Sequence, residues 1–163
     1  MKKEIIMKNL KLLLIAIGLI FSVQVFAQDY TYKQDPWDSE KTNIIDSYGN
    51  TVGYYKVDAW DKGKINVYDS YGNIVKTVKN DAWDNSKTNT YDSYGNHKSS
   101  TKTDAWNSGR ENITDEYGNI IGYREADAWD KEKINVFDKN GNKVGYYKKN
   151  AWSGDWEYHK SSY

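Results

Sequence analysis

The chain has 163 residues, with 23 basic and 23 acidic side chains, two histidines and no cysteine. Disulfides and thiol nucleophiles are excluded, and two imidazoles are too few for a His-rich metal centre or a family of His-based dyads. Seven Trp and 15 Tyr against three Phe suit a thin β-structure wet on much of its surface rather than a thick apolar core.

Lys2, Lys3, Lys8 and Lys11 precede an uncharged, mostly apolar stretch over residues 12–27 that ends Val25-Phe26-Ala27. This predicts a signal peptide over 1–27, cut after Ala27, and a single mature domain over 28–163. The apolar stretch is shorter than the roughly 18 to 20 residues that cross a bilayer, so no membrane span is expected in the mature chain. The expected location is secreted, extracellular or cell-surface, with the periplasm as an alternative. Without the leader, 19 basic residues face 22 acidic ones. That balance argues against a nucleic-acid partner, whose binding rests on a basic surface.

From residue 37 onward a 23-residue period is unbroken: Trp37, Trp60, Trp83, Trp106, Trp129 and Trp152, with Gly49, Gly72, Gly95, Gly118 and Gly141 in step. Such a period marks one supersecondary unit repeated. Five full units run 37–59, 60–82, 83–105, 106–128 and 129–151, flanked by half-units at 28–36 and 152–163. In each unit two β-prone runs flank a turn such as Asp69-Ser70-Tyr71-Gly72-Asn73. Asp at its first position accepts from the amides ahead, and Gly at its fourth takes positive φ, the chemistry of a type I turn closed by a glycine bulge. The expected fold is all-β: an antiparallel β-meander of five hairpin repeats with half-repeat caps, a stacked β-solenoid or a closed barrel being the alternatives.

Placing Asp69 opposite Asn73 sets Tyr68 against Ile74, Val67 against Val75, Asn66 against Lys76 and Ile65 against Thr77. Alternation then gathers Ile65, Val67, Val75 and Thr77 on a buried face, with Ile44, Val52 and Tyr54, Ile113, Ile121 and Tyr123, and Ile134, Val136, Val144 and Tyr146. The other face carries Asn43, Asn66, Asn89, Asn112 and Asn135, a poor strand former recurring at one interior position. A side-chain hydrogen bond to neighbouring backbone is the expected reason. In the third unit Thr88, Thr90, Lys98 and Ser100 replace the aliphatic set, so residues 86–103 are expected to be the loosest part of the array.

Between hairpins lies Asp-Ala-Trp-Asp or a variant, followed by Lys41, Lys64, Lys87, Arg110 or Lys133 four places after the Trp. A longer turn with a short helical element is expected, its Trp folded back over the sheet end and packed between units, burying about 150 to 250 Å². Electrostatics favours the meander over stacked rungs. Stacking would put Asp46, Asp69, Asp92, Asp115 and Asp138 about 4.8 Å apart, where like charges repel by about 1 kcal/mol even in water. A meander doubles the spacing to about 9.6 Å, past the Debye length of about 8 Å.

The stretches Tyr68-Asp69-Ser70-Tyr71-Gly72-Asn73 and Tyr91-Asp92-Ser93-Tyr94-Gly95-Asn96 resemble the Tyr-Asp-x-x-Gly-Asn core of YD repeats in Rhs-type bacterial surface proteins. Residues 137–142, 114–119 and 45–50 are looser copies. The fixed Ala-Trp step departs from that pattern. The 23-residue hairpin design is also similar to MORN-like repeats, and the secreted strand-turn-strand array to curli-type subunits. The resemblance implies an antiparallel meander at a cell surface and brings no active site.

No catalytic residue is expected. Repeated carboxylates share like environments, whereas a general acid and base need unlike ones. His97 fills a slot held elsewhere by Thr51, Ile74, Ile120 and Lys143 and reads as a solvated strand residue. No organic cofactor is expected. For Ca²⁺, Asp46, Asp69, Asp92, Asp115 and Asp138 are the candidates, although one Asp and one Asn per turn fall short of six to eight oxygens. The expected role is a non-catalytic binding or structural module. Trp37, Trp60, Trp83, Trp106, Trp129 and Trp152 are the ligand-stacking candidates if a glycan or surface protein is the partner. Self-association into an extracellular matrix or fibre is the other reading, drawn from the open-ended array.

Overall fold

The computed structural model describes residues 29–161; the expected leader lies outside the described residues. Twelve strands follow in order: β1 Tyr30–Gln34, β2 Lys41–Asp46, β3 Thr51–Val57, β4 Lys64–Asp69, β5 Ile74–Asn80, β6 Lys87–Asp92, β7 His97–Thr103, β8 Arg110–Asp115, β9 Ile120–Ala126, β10 Lys133–Asp138, β11 Lys143–Lys149 and β12 Trp156–Lys160. Each pairs antiparallel with its neighbours in sequence, and β1 pairs with β12, so the meander closes into a barrel. Antiparallel neighbours exclude stacked rungs. The half-units do not cap the sheet as separate ends; Tyr30, Thr31 and Tyr32 pair with Tyr158, Glu157 and Trp156 and complete a sixth hairpin.

The hairpin turns form as the sequence predicts. Gly49, Gly72, Gly95, Gly118 and Gly141 all have φ between 85° and 87°, and Gly72 N–H donates to the Asp69 carbonyl at 3.2 Å. The bulge, however, lies inside the ladder. Tyr68 faces Ile74 as expected, but Val67 faces Lys76, Asn66 faces Thr77 and Ile65 faces Val78. Because side chains alternate with a period of two, this single extra residue reverses the second strand beyond it in each of the five hairpins of the full units. Ile65, Val67, Ile44, Ile113 and Val136 point inward as expected. Thr77 does not share their side of the ladder, and neither do Tyr54, Tyr123 and Tyr146, whereas Val75 and Val144, at the bulge, pack against the core as expected.

The register places the inward residues in rows that circle the barrel. One row is Tyr32, Tyr55, Val78, Thr101, Arg124 and Tyr147, and the next is Ile44, Val67, Thr90, Ile113, Val136 and Tyr158; every one of these is buried. At the seam Tyr147 lies 6.1 Å from Tyr32 and 4.9 Å from Tyr158, ring to ring, and Trp156 is buried alongside. The two half-units thus bring Tyr32, Trp156 and Tyr158 to the aromatic part of the core, which Tyr55 and Tyr147 of the flanking full units complete.

A third inward row is Tyr30, Gly53, Lys76, Ser99, Gly122 and Gly145. Gly53 and Gly122 are required there: a Cβ on either would stand 2.5 or 2.6 Å from the carbonyl oxygen of Tyr68 or Phe137 on the next strand. Lys76 replaces glycine in this row and is only 8% exposed. Burial pushes its ammonium down to about 7. Around it the wall is polar, with Thr88, Thr90, Ser99 and Thr101 all buried. Farther round, the buried Arg124 pairs with Glu111.

The outer face is polar in every unit, with aromatic pairs laid flat upon it. Tyr54 stacks on Tyr68 at 4.6 Å and Tyr123 on Phe137 at 4.8 Å. Lys41 stands over Tyr54 and Arg110 over Tyr123, at 4.7 and 3.5 Å from the ring centroids. Lysines at 41, 56, 64, 79, 87, 102, 133 and 148 punctuate this face, unlike the apolar band with which a barrel meets lipid. Among the described residues, no helix is long and apolar enough to cross a membrane.

Candidate functional site

The up-and-down order puts the six Trp-bearing loops, 35–40, 58–63, 81–86, 104–109, 127–132 and 150–155, at one end of the barrel. Each is six residues long and built alike. Asp58 Oδ1 accepts from the Trp60 and Asp61 amides at 3.0 and 3.1 Å. Asp35, Asp81, Asp104 and Asp127 do the same, and Asn150 Oδ1 takes the role in the sixth loop. The Trp backbone is therefore pinned by an Asx turn.

The second carboxylate oxygen explains the strand asparagines. Asn43, Asn66, Asn89, Asn112 and Asn135 donate Nδ2–H to Oδ2 of Asp35, Asp58, Asp81, Asp104 and Asp127, at 2.7–3.2 Å. The expected hydrogen bond exists, but its acceptor is this carboxylate rather than backbone. A constant eight-residue step from Asp to Asn was the available signal. In the sixth loop the roles exchange, and Asn150 donates to Glu157 at 2.8 Å. Lys41, Lys64, Lys87 and Lys133 add ion pairs to the same carboxylates at 3.1–3.7 Å.

These donors favour the ionised form. The Trp37 amide, Asn43 and Lys41 hold Asp35 down to about 2. The Trp60 amide, ahead of Lys64 and Asn66, holds Asp58 well below the ordinary carboxylate range, and Asn135, ahead of the Trp129 amide, does so for Asp127. A second ring of pairs joins Asp38 to Lys56, Asp84 to Lys102 and Asp130 to Lys148, at 2.7, 2.7 and 3.2 Å.

From these fixed loops the indoles project into solvent. Trp37, Trp60, Trp83, Trp106, Trp129 and Trp152 are 95–98% exposed, while Trp156 is 8% exposed. The expectation that they fold back and pack between units is overturned. With Asp holding the amides of the Trp and its successor, the loop carries the side chain away from the barrel end. Only Pro36 or an Ala at 59, 82, 105, 128 or 151 precedes each ring, so no bulky neighbour lies against it. The opposite end carries the short turns, with Tyr48, Tyr71, Tyr94 and Tyr117 exposed at four of them.

The calcium candidates sit in those short turns. Asp46, Asp69, Asp92, Asp115 and Asp138 each accept two backbone amides on Oδ1 and the turn asparagine on Oδ2, at 2.8–3.2 Å. Turn geometry accounts for all five. Among the described residues no three His, Cys, Asp or Glu side chains converge as a metal site. His97 contacts Ser100 at 2.9 Å and meets Tyr91 edge-on.

No protein-family model matches the sequence, and no curated protein is significantly similar to it. Among solved structures, the fold is similar to that of a protein from Arabidopsis thaliana determined by X-ray crystallography. The TM-score is 0.59 over 82% of this chain and 79% of that one, at 11% sequence identity. The likeness establishes the fold alone: an all-β barrel with no helix among the described residues, twelve antiparallel strands in a closed meander.

Proposed function

We propose that the protein is a secreted, non-catalytic carbohydrate-binding module whose working surface is the tryptophan rim. One observation carries this reading: six indoles are almost wholly exposed at one end, on loops whose backbones are already fixed. Exposing that much aromatic surface is costly for a monomer unless a ligand covers it. Pre-pinned loops lose little freedom when it does. Aromatic faces stack on sugar rings, and Asp35, Asp38, Asp58, Asp81, Asp84, Asp127 and Asp130 of the loops each pair with a lysine, which suits an uncharged ligand.

Tryptophan fluorescence tests it. Neutral poly- and oligosaccharides should shift the emission and protect it from acrylamide, and a variant with all six rim Trp residues changed to Ala should bind none of them. Equal binding by that variant would sink the proposal. The fibre reading loses its motive, since a closed barrel offers no open strand edge among the described residues.

A further inference from the structure

We infer that the rim docks end-on against a flat, uncharged polysaccharide surface, its six tryptophans acting together rather than as six separate sugar sites. The inference rests on the carbohydrate reading above and adds the physical form of the ligand. Neighbouring Trp loops are two strands apart, about 9.6 Å across the sheet. They follow one another round a closed ring, with the Trp152 loop returning beside the Trp37 loop. All six have the same length and the same Asx pin, so the loops carry their indoles out from the barrel end in the same way. A single straight oligosaccharide crosses such a ring at adjacent or opposite points only. A plane meets it everywhere at once.

A bilayer is also a plane, but the loop chemistry disfavours it. Asp38, Asp61, Asp84 and Asp130 directly follow four of the tryptophans, and seating the indoles at headgroup depth would take these carboxylates, with the lysines paired to Asp38, Asp84 and Asp130, out of water. Hydroxyl-rich sugar faces impose no such cost.

The test compares three probes on the full mature chain: insoluble chitin and cellulose particles, the soluble hexasaccharides of the same sugars, and neutral or anionic phospholipid vesicles. Each Trp→Ala change, alone and in cumulative series, should lower affinity for one kind of particle by a similar factor of about 2 to 10. Soluble hexasaccharides should bind far more weakly and lose nothing further once isolated indoles remain. Trp→Tyr at the same positions should restore part of the particle binding. Thermal melts should stay unchanged throughout, because the rings touch little of the barrel.

Hexasaccharides binding as tightly as particles would overturn joint action while leaving the carbohydrate reading intact. So would a series in which one Trp carries the whole effect. Vesicle binding without particle binding would overturn both.

Discussion

Lys76→Met probes a costly feature of the interior, a buried ammonium. Lys76 lies on the inward row that holds glycine in three other units, opposite Val67 on one strand and Asp92 on the other. Burial lowers its pKa from 10.5 to about 7. Below pH 7 both folded and unfolded chains carry the charge, and the fold bears the full cost of burying it. Above about 10.5 neither carries it. Between these limits the unfolded chain holds a proton that the folded one lacks, so wild-type stability rises with pH, by about 1.4 kcal/mol per unit and about 5 kcal/mol in all. Met keeps the stem and removes the ammonium, so K76M is expected to be the more stable by about 3 to 5 kcal/mol at pH 7, with the gap closing towards pH 10.5. Urea unfolding followed by far-UV circular dichroism at pH 7, 8.5 and 10 measures it. A gap that is constant or widens with pH would refute the argument.

Three further outcomes are expected. Gly53→Ala drives a Cβ into the Tyr68 carbonyl and should cost about 1 to 3 kcal/mol, whereas Gly63→Ala, whose Cβ meets side-chain atoms, the Asp61 carboxylate at 3.3 Å and Asn80 Nδ2 at 3.9 Å, should be milder; paired thermal melts decide it. The loop carboxylates at 35, 58, 81, 104 and 127 have depressed pKa values. Their contribution is present above the unfolded value near 4 and is lost as pH falls through the folded values. Stability should therefore drop from about pH 4 to pH 2, and less steeply in Asp58→Asn. Amide exchange should be fastest over residues 86–103, where the inward side chains are Thr and Ser, and better protection there than in the fourth and fifth units would contradict the polar-wall account.

The turns were legible because their chemistry is local: Asp, then Gly three residues later, names both the hydrogen-bond acceptor and the positive φ. The inward face of each second strand was not. One bulged residue reverses it, and Val75-Lys76-Thr77-Val78 has aliphatic side chains at positions of both parities. The tryptophans misled for a related reason. A 23-residue beat is the same whether the ring is buried or exposed, and apolar character alone favours burial. What decides is the Asx turn at Asp58 and its equivalents, which appears in sequence only as an Asp, or Asn150 in the sixth loop, two residues before each rim Trp. Lys76 announced itself as a break in a row of Gly53, Gly122 and Gly145, but that row exists only once the register is known. Closure rests on the pairing of Tyr30 and Tyr32 with Tyr158 and Trp156, a contact between the two ends of the array that no local pattern records.

That seam has a consequence for how such a barrel can change. Because the sixth hairpin is split between the half-units, the groups that close the ring belong to neither the second, third nor fourth repeat. Removing or adding a whole 23-residue copy leaves Tyr32, Tyr147, Trp156 and Tyr158 with the same partners. It subtracts or adds two strands, one pinned loop and one indole. Ring size and the number of contact points are therefore coupled to copy number by construction, and duplication or loss within the array would grade the breadth of the rim without touching the closure that holds it.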